Sequence, residues 1–159
     1  MSVLEASFIA FRLKPYHNNF NKRLVKTPKL YFYDTGLAAY LLGIRSLQDL
    51  ELHFAKGQLF ENFILLEKIK KSWNHKTQEK YFFWRDSTGN EVDLLIERGQ
   101  ELLAVEIKSG KTINTEFFKN LHHFKKIKAD ASCFLVYGGN EVQKRSDSTV
   151  LGSNQLDLI

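Results

Sequence analysis

With 159 residues, 43% of them hydrophobic and 26% charged, the chain is long enough for one well-buried domain and too short for two comfortable ones. Its longer apolar runs, such as Phe60 to Leu66 and Leu102 to Ile107, fall far below bilayer-spanning length, and no basic region followed by an apolar stretch and a cleavage site opens the sequence. The expectation is a soluble, cytoplasmic protein without a membrane partner, and a net charge of +5 with an isoelectric point near 9.2 suits a polyanionic partner and a solvated basic surface equally.

Ser7 to Leu13 (SFIAFRL) and Lys29 to Tyr33 (KLYFY) have strand character, and the polar, basic connection between them makes the pair a long β-hairpin. A lone hairpin is marginal, so Phe8, Phe11 and Phe32 need a covering layer, and the chain reads as beginning inside a larger module. Asp34 or Thr35 caps a short helix that runs through Leu42 and ends at Gly43. From Gln58 to Trp73, apolar residues at helical spacing (Leu59, Phe60, Phe63, Ile64, Leu66, Ile69) predict a helix that packs on a sheet.

The predicted sheet follows directly. Tyr81 to Trp84, Val92 to Glu97 and Leu102 to Lys108 read as strands separated by the turns Ser87-Thr88-Gly89-Asn90 and Arg98-Gly99-Gln100, a three-strand meander. Asn114 or Thr115 caps a helix carrying Phe117, Phe118, Leu121, Phe124 and Ile127. Cys133 to Tyr137 is a fourth strand, and a short strand is expected near Val150. One cysteine, in an apolar run, excludes an internal disulfide framework, and the five histidines are scattered.

Gly110-Lys111-Thr112 has the ending of a phosphate-cradling loop. That loop needs a glycine five positions before Gly110, where Val105 stands, and the preceding residues are an apolar strand; no nucleotide site is expected.

The polar residues inside the meander carry a stronger signal. Alternation along a strand puts Ala104, Glu106 and Lys108 on one face, and the tight turn brings Asp93 of the neighbouring strand beside Glu106. Two close carboxylates repel, a hard divalent cation relieves that repulsion, and a nearby lysine can orient water or steady developing negative charge. The same letters would serve as ordinary salt bridges on the wet face of a sheet.

Asp93, twelve intervening residues, then Glu106-Ile107-Lys108, within a helix, meander, helix, strand order, resembles the PD-(D/E)xK nuclease superfamily. The blocks KRLVKTPKLYFYDTGLAAYLLG, GQLFENFILLEKIKK, YFFWRDSTGNEVDLLIERG and LLAVEIKSG are similar to the domain of unknown function that ends a family of prokaryotic AAA-type ATPases. The resemblance implies an α/β, restriction-endonuclease-like core over residues 51–159, and a segment over residues 1–50 whose hairpin resembles the wing of a winged helix. It also implies an ATPase domain in cis, with this chain a C-terminal fragment.

By the same resemblance Glu61, in LFENF, joins Asp93, Glu106 and Lys108 as the catalytic set. Mg²⁺ or Mn²⁺ would be held by Glu61, Asp93, Glu106 and the carbonyl of Ile107. Trp84 and Arg85, in FFWR, match a further block; as ordinary structural residues they would pack the core and pair with an acid. Two functions follow as expectations: a metal-dependent DNA phosphodiesterase, or an inactive nuclease-fold module that binds DNA or a protein and couples to the ATPase. In the second, Lys14, Lys22, Arg23, Lys26 and Lys29 on the hairpin, and Lys119, Lys125, Lys126 and Lys128 on the later helix, supply the phosphate or partner contacts.

Overall fold

A computed structural model describes residues 3–16 and 27–159. The chain folds as mixed α/β, with the described strands in a single eight-stranded sheet. The N-terminal elements are α1 (Val3–Ala6), β1 (Ala10–Pro15), β2 (Lys29–Phe32), α2 (Thr35–Leu41), α3 (Leu47–Leu52) and the long α4 (Lys56–His75). The meander is β3 (Glu79–Arg85), β4 (Glu91–Arg98) and β5 (Glu101–Lys108). After a 3₁₀ turn at Thr115–Phe118 come α5 (Lys119–Ile127), β6 (Ser132–Tyr137), β7 (Gln143–Lys144) and β8 (Thr149–Gly152). The strand order is β2-β1-β3-β4-β5-β6-β8-β7; β1 with β3, β5 with β6 and β6 with β8 are parallel, and the other neighbours antiparallel.

The local chemistry explains most of the element boundaries. Asp34 Oδ1 accepts the Leu37 N–H at 3.0 Å to start α2, Ser46 Oγ accepts the Asp49 N–H at 3.1 Å to start α3, and Asn114 Oδ1 accepts the Glu116 N–H at 3.0 Å to start the 3₁₀ turn. The helix expected from Asn114 therefore begins as 3₁₀ and becomes α5 at Lys119. Gly99, at φ +59, opens the two-residue β4–β5 turn, a conformation that costs glycine little. In the β3–β4 turn the buried Asp86 carboxylate accepts from the Thr88 N–H (2.9 Å), Thr88 Oγ1 (2.7 Å), the Asn90 N–H (3.0 Å) and Asn90 Nδ2 (3.0 Å).

Two apolar layers cover the sheet. On one face, Ile64, Leu65 and Ile69 of α4 pack on Phe83, Leu94, Ile96, Leu103, Val105 and Ile107. On the other, Leu121 and Phe124 of α5 pack on Trp84, Leu95, Ala104, Cys133 and Leu135. Both layers bury side chains that each contribute roughly 1.5–3 kcal/mol of transfer free energy. Residues 138–159, weakly patterned in sequence, add β7 and β8 to the sheet and return Leu156 and Ile159 to the α4 layer.

The N-terminal strands join this body. β1 pairs with β3 through Lys14↔Phe82 and Pro15↔Phe83, which makes β2 the sheet edge. Asn62 of α4 satisfies that edge: its Oδ1 accepts the Phe32 N–H and its Nδ2 donates to the Phe32 carbonyl, both at 2.8 Å. Phe11 packs on the α4 layer, Phe32 is half-buried, and Phe8 stays 75% exposed. No helix among the described residues is long and apolar enough to cross a membrane.

Candidate functional site

The site lies where β4 and β5 part. Their pairing runs from Arg98↔Glu101 to Leu94↔Val105. On the other side of β4 the pairs Phe82↔Leu95 and Trp84↔Val92 advance two residues along β3 and three along β4, which is a bulge at Asp93 and Leu94. The bulge re-aims Asp93. Its Oδ2 accepts the backbone N–H of Ile107 at 2.8 Å, so a side chain stands in for the ladder carbonyl.

Strand alternation then delivers the remaining groups. Glu106 and Lys108 project to one side as expected, with Lys108 Nζ 2.6 Å from Glu106 Oε1 and 3.4 Å from Asp93 Oδ2. Asn120 of α5 donates from Nδ2 to the same Glu106 oxygen at 3.3 Å. Glu106 Oε2 is buried without a hydrogen-bond partner, and Glu106 as a whole is 2% exposed. Burial, then the charge of Glu61, pushes Asp93 above the ordinary carboxylate range; burial, then the charge of Asp93, does the same to Glu106. Burial works to lower the Lys108 ammonium, and Asp93 and Glu106 together overcome it, so Lys108 is held protonated.

Glu61 approaches from α4 but is bound elsewhere. Its Oε1 accepts from Lys29 Nζ at 2.8 Å and from the Tyr31 hydroxyl. Burial and the Glu61 charge push the Tyr31 phenol far above its ordinary range, so it acts as a permanent donor. Lys29 also pairs with Glu91, which in turn accepts from Arg85 Nε. Glu61 thus acts on Asp93 through its field, while its carboxylate is turned to the β2 edge; among the described residues no three His, Cys, Asp or Glu side chains are gathered to hold a metal. A cleft of about 500 Å³ opens over Lys29, Tyr31, Gln58, Glu61, Arg85 and Glu91.

Trp84 packs in the core with its ring edge-on to Phe124, centroids 5.2 Å apart, and Arg85 pairs with Glu91. Lys14, Lys119 and Lys126 are exposed, and Lys128 pairs with Asp130 at 2.8 Å. A shallow depression is lined by His122, Lys125, Lys126 and Asp147. Lys29, expected as a phosphate contact, is instead engaged by two carboxylates, and Lys22, Arg23 and Lys26 lie outside the described residues. Gly110 to Thr112 forms a loop whose Gly110 carbonyl accepts the Gly138 N–H at 3.0 Å; a Cβ at Gly138 would meet the Ser109 carbonyl oxygen at 2.5 Å.

Asn120, Tyr31 and Glu91 are members of this constellation that the motif does not name. Asn120 had a legible signal, because it shares the stripe of Phe117, Leu121 and Phe124, where a polar residue on a core-facing face needs a partner. Tyr31 and Glu91 had none, since their neighbours are set by the docking of β2 on α4.

Fold and site together define a mixed α/β domain with two buried acids and a lysine at the point where two central strands separate. The chain belongs to the family described as Domain of unknown function (DUF4143), whose pattern matches residues 56–156. A second pattern, Domain of unknown function (DUF8612), matches residues 1–48. Over 112 residues, 70% of this chain, it is 30% identical to an uncharacterized protein of Mycobacterium bovis and to one of Mycobacterium tuberculosis. The chain spans 24% of the length of each of these relatives.

Proposed function

We propose that the domain is a nuclease-like module of the PD-(D/E)xK type, restriction-endonuclease-like in its core, that hydrolyses DNA phosphodiesters with Mg²⁺ or Mn²⁺ and works in cis with an AAA-type ATPase domain. The observation that carries this reading is the buried pair Asp93 and Glu106, bridged by Lys108, with Glu106 Oε2 left without a partner. An unsatisfied, buried carboxylate oxygen beside a second acid is costly, and a hard cation supplies what it lacks. Asp93, Glu106 and the Ile107 carbonyl would hold the ion, with Glu61 joining them. A bound divalent ion would polarise a phosphoryl oxygen and acidify a bound water.

The chain's own groups have distinct tasks in this reading. Asp93 is locked by the Ile107 N–H, so one ligand position is set before any ion arrives. Lys108 Nζ, already within reach of both acids, has the position to orient an attacking water and to steady charge that develops on phosphate oxygens. Asn120 fixes the Glu106 rotamer. The relatives extend far beyond the matched segment, which leaves room for the ATPase domain.

The deciding experiment combines Mn²⁺ titration, followed by calorimetry, with incubation of labelled single-stranded, duplex and branched DNA. Saturable Mn²⁺ binding that is lost in Asp93→Ala, together with metal-dependent cleavage, is expected. No binding and no cleavage, with and without the remainder of the longer protein, would leave the second reading standing. In that reading the fold is an inactive module that binds DNA or a protein, with Lys14, Lys119, Lys125, Lys126 and Lys128 as contacts. It is favoured by one observation, the engagement of Glu61 by Lys29 and Tyr31.

A further inference from the structure

The residue that the metal reading leaves unexplained is Lys29. Its Nζ lies 2.8 Å from Glu61 Oε1, contacts Glu91 Oε1, and stands 5.4 Å from the centre of the Phe83 ring. Its side chain is only 18% exposed, so this is a largely desolvated ammonium committed to acids rather than a surface lysine available to solvent. Resting on the metal-dependent reading above, we infer that Lys29 is an internal counter-cation that competes with the divalent ion for Glu61. The β2 edge thereby controls whether the third carboxylate is free to become a ligand.

Charge and geometry carry the inference together. Glu61 and Glu91 face Lys29 and Arg85, two negative charges against two positive, so the cluster is neutral without any added ion. A dication drawn towards Glu61 meets the like charge of Lys29 at close range, and Glu61 Oε1 cannot become a ligand without giving up both Lys29 and the Tyr31 hydroxyl. The exchange has a built-in landing place. Lys29 already touches Glu91, so it can release Glu61 and remain paired while the cation takes the vacated carboxylate.

The strand is suited to such an exchange. β2 has four residues, stands at the edge of the sheet, and places Lys29 at the last pair of its ladder with β1, opposite Leu13. Asn62 holds Phe32 three residues away, on the other side of Tyr31. The backbone can therefore stay clamped at Phe32 while the long Lys29 side chain swings. Coupling of this kind makes the site's cation affinity depend on a residue in the segment matched by the second family pattern, residues 1–48.

The test is Mn²⁺ affinity in the absence of DNA, measured by calorimetry and by loss of the free-ion paramagnetic signal. Lys29→Met, close in shape and uncharged, should tighten Mn²⁺ binding about tenfold, because the fraction of molecules with Glu61 available rises. Lys29→Arg should bind like the unchanged protein. Glu61→Gln should weaken Mn²⁺ binding by itself, and Lys29→Met should give no gain in the Glu61→Gln background. Where Lys29→Met folds poorly, Lys29→Met with Glu91→Gln leaves one fewer acid unpaired and is read against Glu91→Gln alone. Unchanged or weaker binding in a folded Lys29→Met protein, or a gain that survives Glu61→Gln, overturns the competition while leaving the metal-dependent reading intact. Absence of Mn²⁺ binding in every variant overturns both.

Discussion

Asp93 accepts the backbone N–H of Ile107 at 2.8 Å where the β4–β5 ladder stops. That one bond places an acid from β4 against the Glu106-Ile107-Lys108 stretch of β5 and spares Ile107 an unpaired donor. The site is thus built by interrupting regular sheet structure, and the consequences can be measured.

The first concerns pH. Asp93 is pushed up to about 6 and Glu106 to about 7, both above their unfolded values, so the folded chain binds more protons than the unfolded chain between the ordinary carboxylate range and neutrality. Metal-free stability should therefore fall as pH rises from about 4.5 through 7. Glu106→Gln should remove part of that fall, gaining on the order of 2 kcal/mol at pH 8 and little at pH 5, as read by urea unfolding. A flat difference between the two proteins across that range would contradict it.

Metal and cleavage should separate by residue. Under the proposed function, Mg²⁺ or Mn²⁺ raises the thermal midpoint by binding the native state alone, and Asp93→Ala abolishes that rise. Lys108→Met should keep the rise and lose DNA cleavage by about a hundredfold or more, because an ammonium is not a ligand for a hard cation. Equal loss of both properties in Lys108→Met would show that the lysine holds the site together rather than assisting the reaction.

Asn62 should be worth more than a surface asparagine. Asn62→Ala leaves the Phe32 N–H and carbonyl without their side-chain partner and should cost about 1–3 kcal/mol in denaturant unfolding. Hydrogen exchange at the Phe32 amide should accelerate before that of the central strands. Exchange that is unchanged at Phe32 would mean that β1 alone secures the edge.

Asp86 offers an acid-side counterpart. Burial alone would raise its pKa, but its bonds from Thr88 and Asn90 prevail and hold it down at about 2. Its stabilisation is present above the ordinary aspartate value and is lost as pH falls towards 2. Asp86→Ala should cost about 2–4 kcal/mol at pH 7, and the cost should shrink in acid.

If the basic residues contact DNA phosphates, duplex affinity should fall steeply with salt. Lys119→Glu with Lys126→Glu should weaken binding by about tenfold across unrelated sequences, measured by fluorescence anisotropy. Salt-insensitive binding would favour a protein partner.

The local order of the meander, α5 and β6 was legible because period-2 and period-3.6 patterns and turn residues act over a few neighbours. So was the pairing of Glu106 with Lys108, since strand alternation alone puts them on one face. The short helices α1 and α3 leave no readable period in the sequence because each offers less than two turns of pattern. The state of each acid, by contrast, is set by contacts between distant elements. The bulge that re-aims Asp93, the burial that lifts it, and the capture of Glu61 by Lys29 and Tyr31 depend on partners 30 or more residues away or on a register shift that no local pattern encodes. Residue types and spacing determine which groups can meet; the distances and desolvation that set their charge arise only when β2, α4 and the parted strands pack against one another.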